Sequence, residues 1–365
     1  MRRRRYADTH ERIVRGKQIH ANLEDKRRGI AEGEKKPVLD IGSIEAKYLV
    51  PEEMNFVETP AVMDIEERVL LWIDAGYPVH LIGPTGCGKT ALAMHVARKL
   101  ERPVVWINGD EQVSTTDLIG GYSQVEVESL RDKYIHNVFK SSDILKADWV
   151  DNPLTLACKY GYTLVYNEFS RTKPAANNVL LSVLEEEILE LPTKFGEERY
   201  VNVHPDFNAI FTSNPIEYAG VYRPQDALLD RLIGIYMDFY DFETEAEIVM
   251  AHANVPKKIA ERVVKVIRGL REMGNVEGDS IEKPGTRACI MIAQGLEVLN
   301  RYGNEDIERI SADVLTSKVR GPAEHVELQS RIKEVVAASG KRIKASASGS
   351  GESEGEGEMP VPESN

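Results

Sequence analysis

Gly83-Pro84-Thr85-Gly86-Cys87-Gly88-Lys89-Thr90 decides the fold. The stretch fits G-x-x-x-x-G-K-[ST], the phosphate-binding loop, and its flanks are the ones such a loop needs. The apolar run Pro78–Ile82 before it reads as a strand, and Thr90–Leu100 after it carries helical spacing. Glycines at Gly83, Gly86 and Gly88 let backbone N–H groups turn inward around a phosphate, where side chains would clash. The N-terminus of the following helix adds positive potential. Lys89 reaches the β- and γ-phosphates of a nucleotide, and Thr90 offers a hydroxyl to Mg²⁺, a cation that takes oxygen ligands. Pro84, Thr85 and Cys87 complete the loop as nucleotide-contacting positions. Cys87 reads as a small spacer, although a thiol near a helix N-terminus can have a lowered pKa and so be oxidisable.

Outward from the loop the chain alternates. Pro103–Ile107, Tyr162–Tyr166, Phe207–Thr212 and Gly234–Phe239 are further short apolar runs separated by helical segments. Continuous apolar strands of this kind belong to a parallel sheet covered on both faces, so the spacing predicts an α/β domain with a five-stranded parallel core. From Thr244 onward strands stop. Thr244-x-x-Glu247 reads as a capping box, and Pro256–Met273, Thr286–Asn300 and Ala323–Ala338 carry helical spacing. The expected organisation is a mobile basic arm over 1–52, an α/β nucleotide-binding domain over 53–242, a small all-helical lid over 243–339 and a disordered acidic tail over 340–365.

Composition bounds the function. Of 365 residues, 42% are hydrophobic and 29% charged, the balance of a water-soluble globular chain, and no stretch approaches the apolar length of a membrane span. The net charge of −13 argues against a chain built to grip nucleic acid. Charge is uneven, however: residues 1–36 hold twelve Lys/Arg against six Asp/Glu, and five Glu follow Lys344 with no further Lys or Arg. An acidic partner for the arm and a solubilising tail are the readings of these ends. Basic Met1–Arg5 is followed by no apolar core of a signal peptide. Cys87, Cys158 and Cys289 are odd in number and far apart, which fits a reducing cytosol rather than disulfides or zinc.

A P-loop ATPase needs an acidic residue at the end of a neighbouring strand to hold Mg²⁺ through water, and a carboxylate to orient the attacking water; the usual Asp-Glu pair reads here as Asn167-Glu168. Leu164-Val165-Tyr166-Asn167-Glu168 fits. Glu168 is the candidate for the water; Asn167 can accept a hydrogen bond from a metal-bound water but brings no negative charge, so metal affinity is expected to be weaker. Asn214, ending Ala209–Asn214, is placed to hydrogen-bond the water or the γ-phosphate. Arg231, in Asp226–Leu232, is the candidate to neutralise charge on a neighbouring subunit's nucleotide. Arg287, opening a helix at Thr286, is the candidate to close the lid domain onto the phosphates.

Strand, P-loop and helix followed by Asn167-Glu168, Asn214, Arg231 and Arg287 in that order resemble the AAA+ superfamily. Glu168–Leu184 (EFSRTKPAANNVLLSVL) resembles its MoxR-like branch, with Leu118–Asp151 as that branch's insertion in the second helix and Leu189–Val203 as its hairpin. Asn55–Pro60, Ala75–His80, Thr116–Tyr122, Tyr166–Arg171 with Asn177-Asn178, and Thr286–Cys289 are similar to the gas vesicle protein N family, which also carries Asn at the position of Asn167. The resemblance covers about residues 53–300. It implies a cytosolic, Mg²⁺-dependent ATPase needed for gas vesicle formation. It also implies a homo-oligomeric ring of six, with vesicle shell and accessory proteins as partners. Three other readings share the core: a chaperone that activates another enzyme, a nucleotide-gated scaffold without turnover (motivated by Asn167), and a nucleic-acid-stimulated ATPase using the arm.

Overall fold

The computed structural model describes residues 56–130, 142–192, 199–214, 221–273, 283–317, 319 and 321–347. The basic arm, residues 193–198 and the end of the tail lie outside the described residues. Two compact units divide the chain between Asp238 and Phe239.

The first unit opens with α1 (Pro60–Asp74), capped by Thr59, whose hydroxyl accepts from the Val62 N–H, and started by Pro60 in the first turn, where no intrahelical donor is needed. Then come β1 (Val79–Ile82), α2 (Lys89–Lys99), β2 (Val104–Asn108) and α3 (Thr115–Ile119). A hairpin follows, β3 (Gly120–Leu130) paired antiparallel with β4 (Ser142–Asp151), and leads into α4 (Pro153–Tyr160). Ile119 O accepts from Asn152 N at 3.0 Å and from the Thr155 hydroxyl at 2.6 Å, so α3 and α4 meet at the foot of the hairpin and read as one helix interrupted by it. That is the insertion expected from Leu118–Asp151.

Next are β5 (Thr163–Asn167), a single 3₁₀ turn (Phe169–Arg171), α5 (Pro174–Asn177) and α6 (Val179–Glu185). The hairpin expected within Leu189–Val203 is β6 (Ile188–Glu190) against β7 (Tyr200–Asn202), with Leu189 opposite Val201. The unit closes with β8 (Asn208–Ser213), α7 (Asp226–Leu229) and β9 (Ile233–Tyr236).

The main sheet has five strands in the order β2-β5-β8-β1-β9, all parallel. This is the five-stranded parallel core that the apolar runs predict. Its strands are apolar because helices cover both faces; Leu164, Val165 and Tyr166 are each fully buried. Register aligns functional rows. Asn108 stands opposite Asn167, and the next row down runs Ile107, Tyr166, Phe211, His80. All five C-terminal strand ends therefore point to one edge, which is where a parallel α/β sheet binds ligands.

The second unit is helical: α8 (Phe242–His252), α9 (Lys257–Met273), α10 (Thr286–Leu299), α11 (Asn304–Thr316) and α12 (Pro322–Ala347). Three expectations are corrected here. The cap of α8 is Asp241 rather than Thr244: its carboxylate accepts from the Thr244 N–H at 2.8 Å and the hydroxyl at 3.0 Å, placing Thr244 inside the first turn. The same bonds hold the Asp241 carboxyl below its ordinary pKa. Helix α11 went unseen in the sequence because its buried positions, Ile307, Ser311 and Leu315, put a serine in the middle of a narrow apolar stripe. Helix α12 continues through 340–347, which the sequence assigned to the tail; Lys, Arg and Ala there are good helix formers.

The units divide earlier than residue 242 because Phe239 and Tyr240 belong to the helical packing. Arg271 lies 4.0 Å over the Phe239 ring and Arg268 donates to Tyr240 O at 3.0 Å. Both arginines converge on Glu245, which has no exposed surface. Arg271 binds it through two bonds of 2.7 and 2.9 Å, Arg268 at 3.1 Å, and the Thr286 hydroxyl at 2.7 Å. One carboxylate thus ties the entry of the unit, α8, α9 and the first turn of α10 together. Replacing Glu245 with Ala leaves the Arg271 guanidinium buried with no counter-charge, only Pro284 O still accepting from it at 2.6 Å, and is expected to cost about 3–5 kcal/mol. Urea unfolding of Glu245→Ala against wild type measures that loss; an unchanged midpoint would show that the network carries no stability.

Candidate active site

Four strand ends and one helix start build the site. β1 ends at Ile82 and enters the loop at Gly83. A Cβ there would sit 2.1 Å from Met237 O, so only glycine lets the loop pass the end of β9. Gly86 (φ 80°) and Gly88 (φ 97°) take the left-handed conformations that curl the loop, and Gly88 caps α2. Lys89 follows at the first helical position. The residue is 5% exposed, and its ammonium donates to the carbonyls of Gly83 and Pro84, both at 2.8 Å. Those partners are dipoles rather than charges, so a positive field remains inside the loop for an anion.

The Asn167 side chain, at the end of β5, joins the other pieces. Its oxygen accepts from Thr90 Oγ1 and from Thr212 Oγ1, each at 2.8 Å, and its nitrogen donates to Asn108 Oδ1 at 3.0 Å. The Thr212 hydroxyl in turn accepts from the Glu168 N–H at 3.0 Å. This places Thr90 of the loop helix against the middle of the sheet. Two oxygens, of Thr90 and Asn167, stand side by side where the motif places a metal; both are hard donors, and the set fits Mg²⁺ without supplying a charge.

Glu168 stands one residue beyond, in a left-handed conformation (φ 51°, ψ 40°) that is strained for a residue with a Cβ. Its surroundings hold it there. Besides Thr212, Gly109 passes so close that a Cβ on it would meet Glu168 O at 2.1 Å, and Gly109 N donates to Asn167 O at 2.7 Å. Arg171 in the 3₁₀ turn places its Nε 3.8 Å from the Glu168 carboxylate. Underneath, Asn177 donates to Phe169 O at 3.2 Å and accepts from the Tyr166 hydroxyl at 3.1 Å, pinning the turn that follows Glu168. Asn214, just past β8, is buried and donates to the Thr85 hydroxyl at 2.6 Å, so it is fastened to the P-loop itself.

The structure thus gathers the P-loop, Asn167, Glu168 and Asn214 at one sheet edge. It engages Arg231 elsewhere: the guanidinium bonds to the Glu185 carboxylate at the end of α6 and to Ala227 O. Arg287 is exposed in the first turn of α10, in the second unit. Asn108, Gly109 and Thr212 were missed by sequence reasoning. The available signal was a polar residue followed by Gly at the C-terminal end of the strand beside β5, and a Thr one position short of the Ser-Asn end of β8. Cys87 corrects an expectation. It is buried, and burial pushes its thiol up rather than down, outweighing the nearby Lys89. All three cysteines are buried and unpaired by disulfides. Among the described residues no helix is long and apolar enough to cross a membrane.

A P-loop cradle with a polar second-strand end and a carboxylate poised beside it is the nucleotide site of an AAA-type ATPase. Comparison with known proteins agrees: the AAA domain (dynein-related subfamily) matches residues 78–232. The chain is similar to the gas vesicle ATPase GvpN of Haloferax mediterranei, 51% identical over 340 residues, covering 89% of this chain and 96% of that protein. It is equally similar to the gas vesicle ATPase GvpN1 of Halobacterium salinarum, 51% identical over 339 residues, covering 88% and 96%. More distantly it is similar to protein CbbQ of Hydrogenophilus thermoluteolus, 27% identical over 237 residues, covering 64% and 80%. The chain is an ATPase of the MoxR-like branch of AAA+ proteins. It belongs to the GvpN family of gas vesicle ATPases.

Two outcomes test this geometry. Gly109→Ala forces Glu168 O to move and is expected to lower ATP turnover about 10²-fold or more while ATP binding survives, because the P-loop is untouched; phosphate release and binding of a fluorescent ATP analogue separate the two. His80, in β1, is depressed by burial to a pKa of about 4 from 6.5. The unfolded chain therefore takes up a proton between pH 6.5 and 4 that the folded chain does not, so stability falls as pH drops through that window. The wild-type unfolding free energy should fall relative to His80→Phe between pH 7 and 4.5; parallel curves would contradict it.

Proposed function

We propose that this protein hydrolyses ATP with Mg²⁺ as an oligomeric remodelling ATPase acting in gas vesicle assembly. The observation that carries the hydrolytic part is Glu168, held in a strained backbone beside Asn167 and Thr90 by Thr212 and Gly109. Strain at one carboxylate next to a phosphate loop is what a preorganised catalytic position requires. The vesicle part rests on family membership, since the relatives carry that name.

In this reading the loop from Gly83 to Thr90 holds the triphosphate and Lys89 turns from its two carbonyls toward the β- and γ-phosphates. Thr90 and Asn167 are the residues that would hold Mg²⁺, which when bound would supply neutralisation of charge on the transferring phosphoryl group. Glu168 orients the attacking water and Asn214 holds either that water or the γ-phosphate. Arg231 reaches an adjacent subunit's nucleotide after leaving Glu185. Turnover then depends on assembly into a ring, of six subunits by family analogy. Its working loops include Gly120–Tyr122, and its partners are vesicle shell and accessory proteins in the cytoplasm.

One observation favours a second reading, a nucleotide-gated scaffold. The Asn167 oxygen already accepts two hydroxyls and brings no charge to the metal position. ATP turnover measured against protein concentration decides. Assembled hydrolysis predicts specific activity that rises with concentration. Glu168→Gln should fall about 10²–10⁴-fold and Arg231→Ala on the order of 10³-fold or more, both still binding ATP. Asn167→Asp should lower the Mg²⁺ concentration for half-maximal activity. A wild type that binds ATP and turns over no faster than Glu168→Gln would leave only the scaffold.

A further inference from the structure

His80 is a buried polar ring that the hydrolytic chemistry does not use. Its neighbours in β1 are Val79, Leu81 and Ile82, and an apolar residue in its place would avoid the cost of burying a polar group. The residue is 5% exposed. Its Nε2 lies 2.7 Å from Ser213 Oγ, and its edge meets the Phe169 ring with centroids 4.8 Å apart and planes at 85°. Both contacts are one residue from a functional position. Ser213 precedes Asn214, which is bonded to Thr85 of the P-loop. Phe169 follows Glu168 and is itself fixed by Asn177. His80 lies on the strand that runs directly into Gly83.

One imidazole therefore touches the chain beside the water-orienting carboxylate and the chain beside the γ-phosphate amide, and it stands on the strand that leads into the phosphate loop. Phe211, in register with His80, packs against Phe169 at 5.2 Å and closes the group from below. Ser213, Phe169 and Phe211 are all uncharged, and burial keeps the ring neutral at pH 7. A neutral ring offers Ser213 a fixed hydrogen bond with no charge to neutralise.

We propose that His80 is a positioning residue for ATP hydrolysis: through Ser213 and Phe169 it sets Asn214 and Glu168 at a common height against the γ-phosphate. The proposal rests on the roles given above to Glu168 and Asn214. It predicts that loss of the His80–Ser213 bond slows the chemical step and leaves nucleotide affinity alone, because Lys89, Thr90 and the loop glycines do not depend on it.

The test uses full-length protein. His80→Phe keeps the ring volume and the edge contact but removes the nitrogen; Ser213→Ala removes only the hydroxyl. Each should lower kcat about tenfold, with KM and the Kd of a fluorescent ATP analogue within about twofold of wild type. The double variant should be no slower than the slower single one, since both remove one bond. His80→Gln, whose amide can still meet Ser213, should restore most of the rate. Thermal unfolding confirms that each variant is folded, and Ser213→Ala serves as the milder change if His80→Phe is not. Wild-type kcat in both folded variants, with Glu168→Gln inactive, would overturn the positioning role and leave His80 as packing. Wild-type turnover by Glu168→Gln would instead overturn the reading on which the proposal stands.

Discussion

One side-chain amide holds the site together. Asn167 accepts from the loop helix through Thr90 and from β8 through Thr212, and it donates to β2 through Asn108. A carboxylate in the same place could accept from both threonines but could not donate to Asn108. The amide therefore locks three elements in a network that carries no charge of its own. In a partly buried setting that trade is favourable, because an uncompensated charge would carry a large desolvation cost. Thr212 gains a further role from the same arrangement. Having donated to Asn167, its hydroxyl is free to accept the Glu168 N–H and hold the strained residue that follows.

The helical unit relies on a different solution. Glu245 is charged and fully buried, and it is satisfied by two arginines and a threonine drawn from separate helices. Such networks add little net stability over apolar packing, yet they fix geometry, since each bond works in only one arrangement. The consequence is that the first turn of α10, with Arg287 on it, is set relative to Phe239 and Tyr240 where the unit begins. The α/β unit positions its groups by strand register; the helical unit does so by a buried ion-pair hub.

Much of the fold was legible in the chain. Four of the five apolar runs became parallel strands to within one residue at each end, because a strand buried on both faces leaves a continuous apolar mark; the fifth, Gly234–Phe239, became Ile233–Tyr236, since Phe239 packs in the helical unit. The P-loop was legible because its glycines, Lys89 and Thr90 are local requirements met within eight residues. Helix α11 was illegible because Ser311 interrupts its stripe, and the start of α8 was misplaced because two capping residues, Asp241 and Thr244, compete within three positions. Asn108, Gly109 and Thr212 left no mark of their own. Each matters only through a neighbour far away in the chain, and a single sequence does not record which strand lies beside which.

The sequence by itself determined the class of this protein: a phosphate loop between strand and helix, a polar and an acidic residue ending a later strand, and a helical segment after the sheet. These are fixed by backbone conformation and burial period, which are properties of neighbouring residues. Only the tertiary structure decided how the pieces meet. Strand order placed β8 between β5 and β1, so that Thr212 could bridge to Asn167, Asn214 to Thr85, and His80 to Ser213. Those bonds span between 45 and 133 positions of chain. Their formation follows from packing apolar faces on both sides of one sheet, a constraint that acts on the whole domain at once.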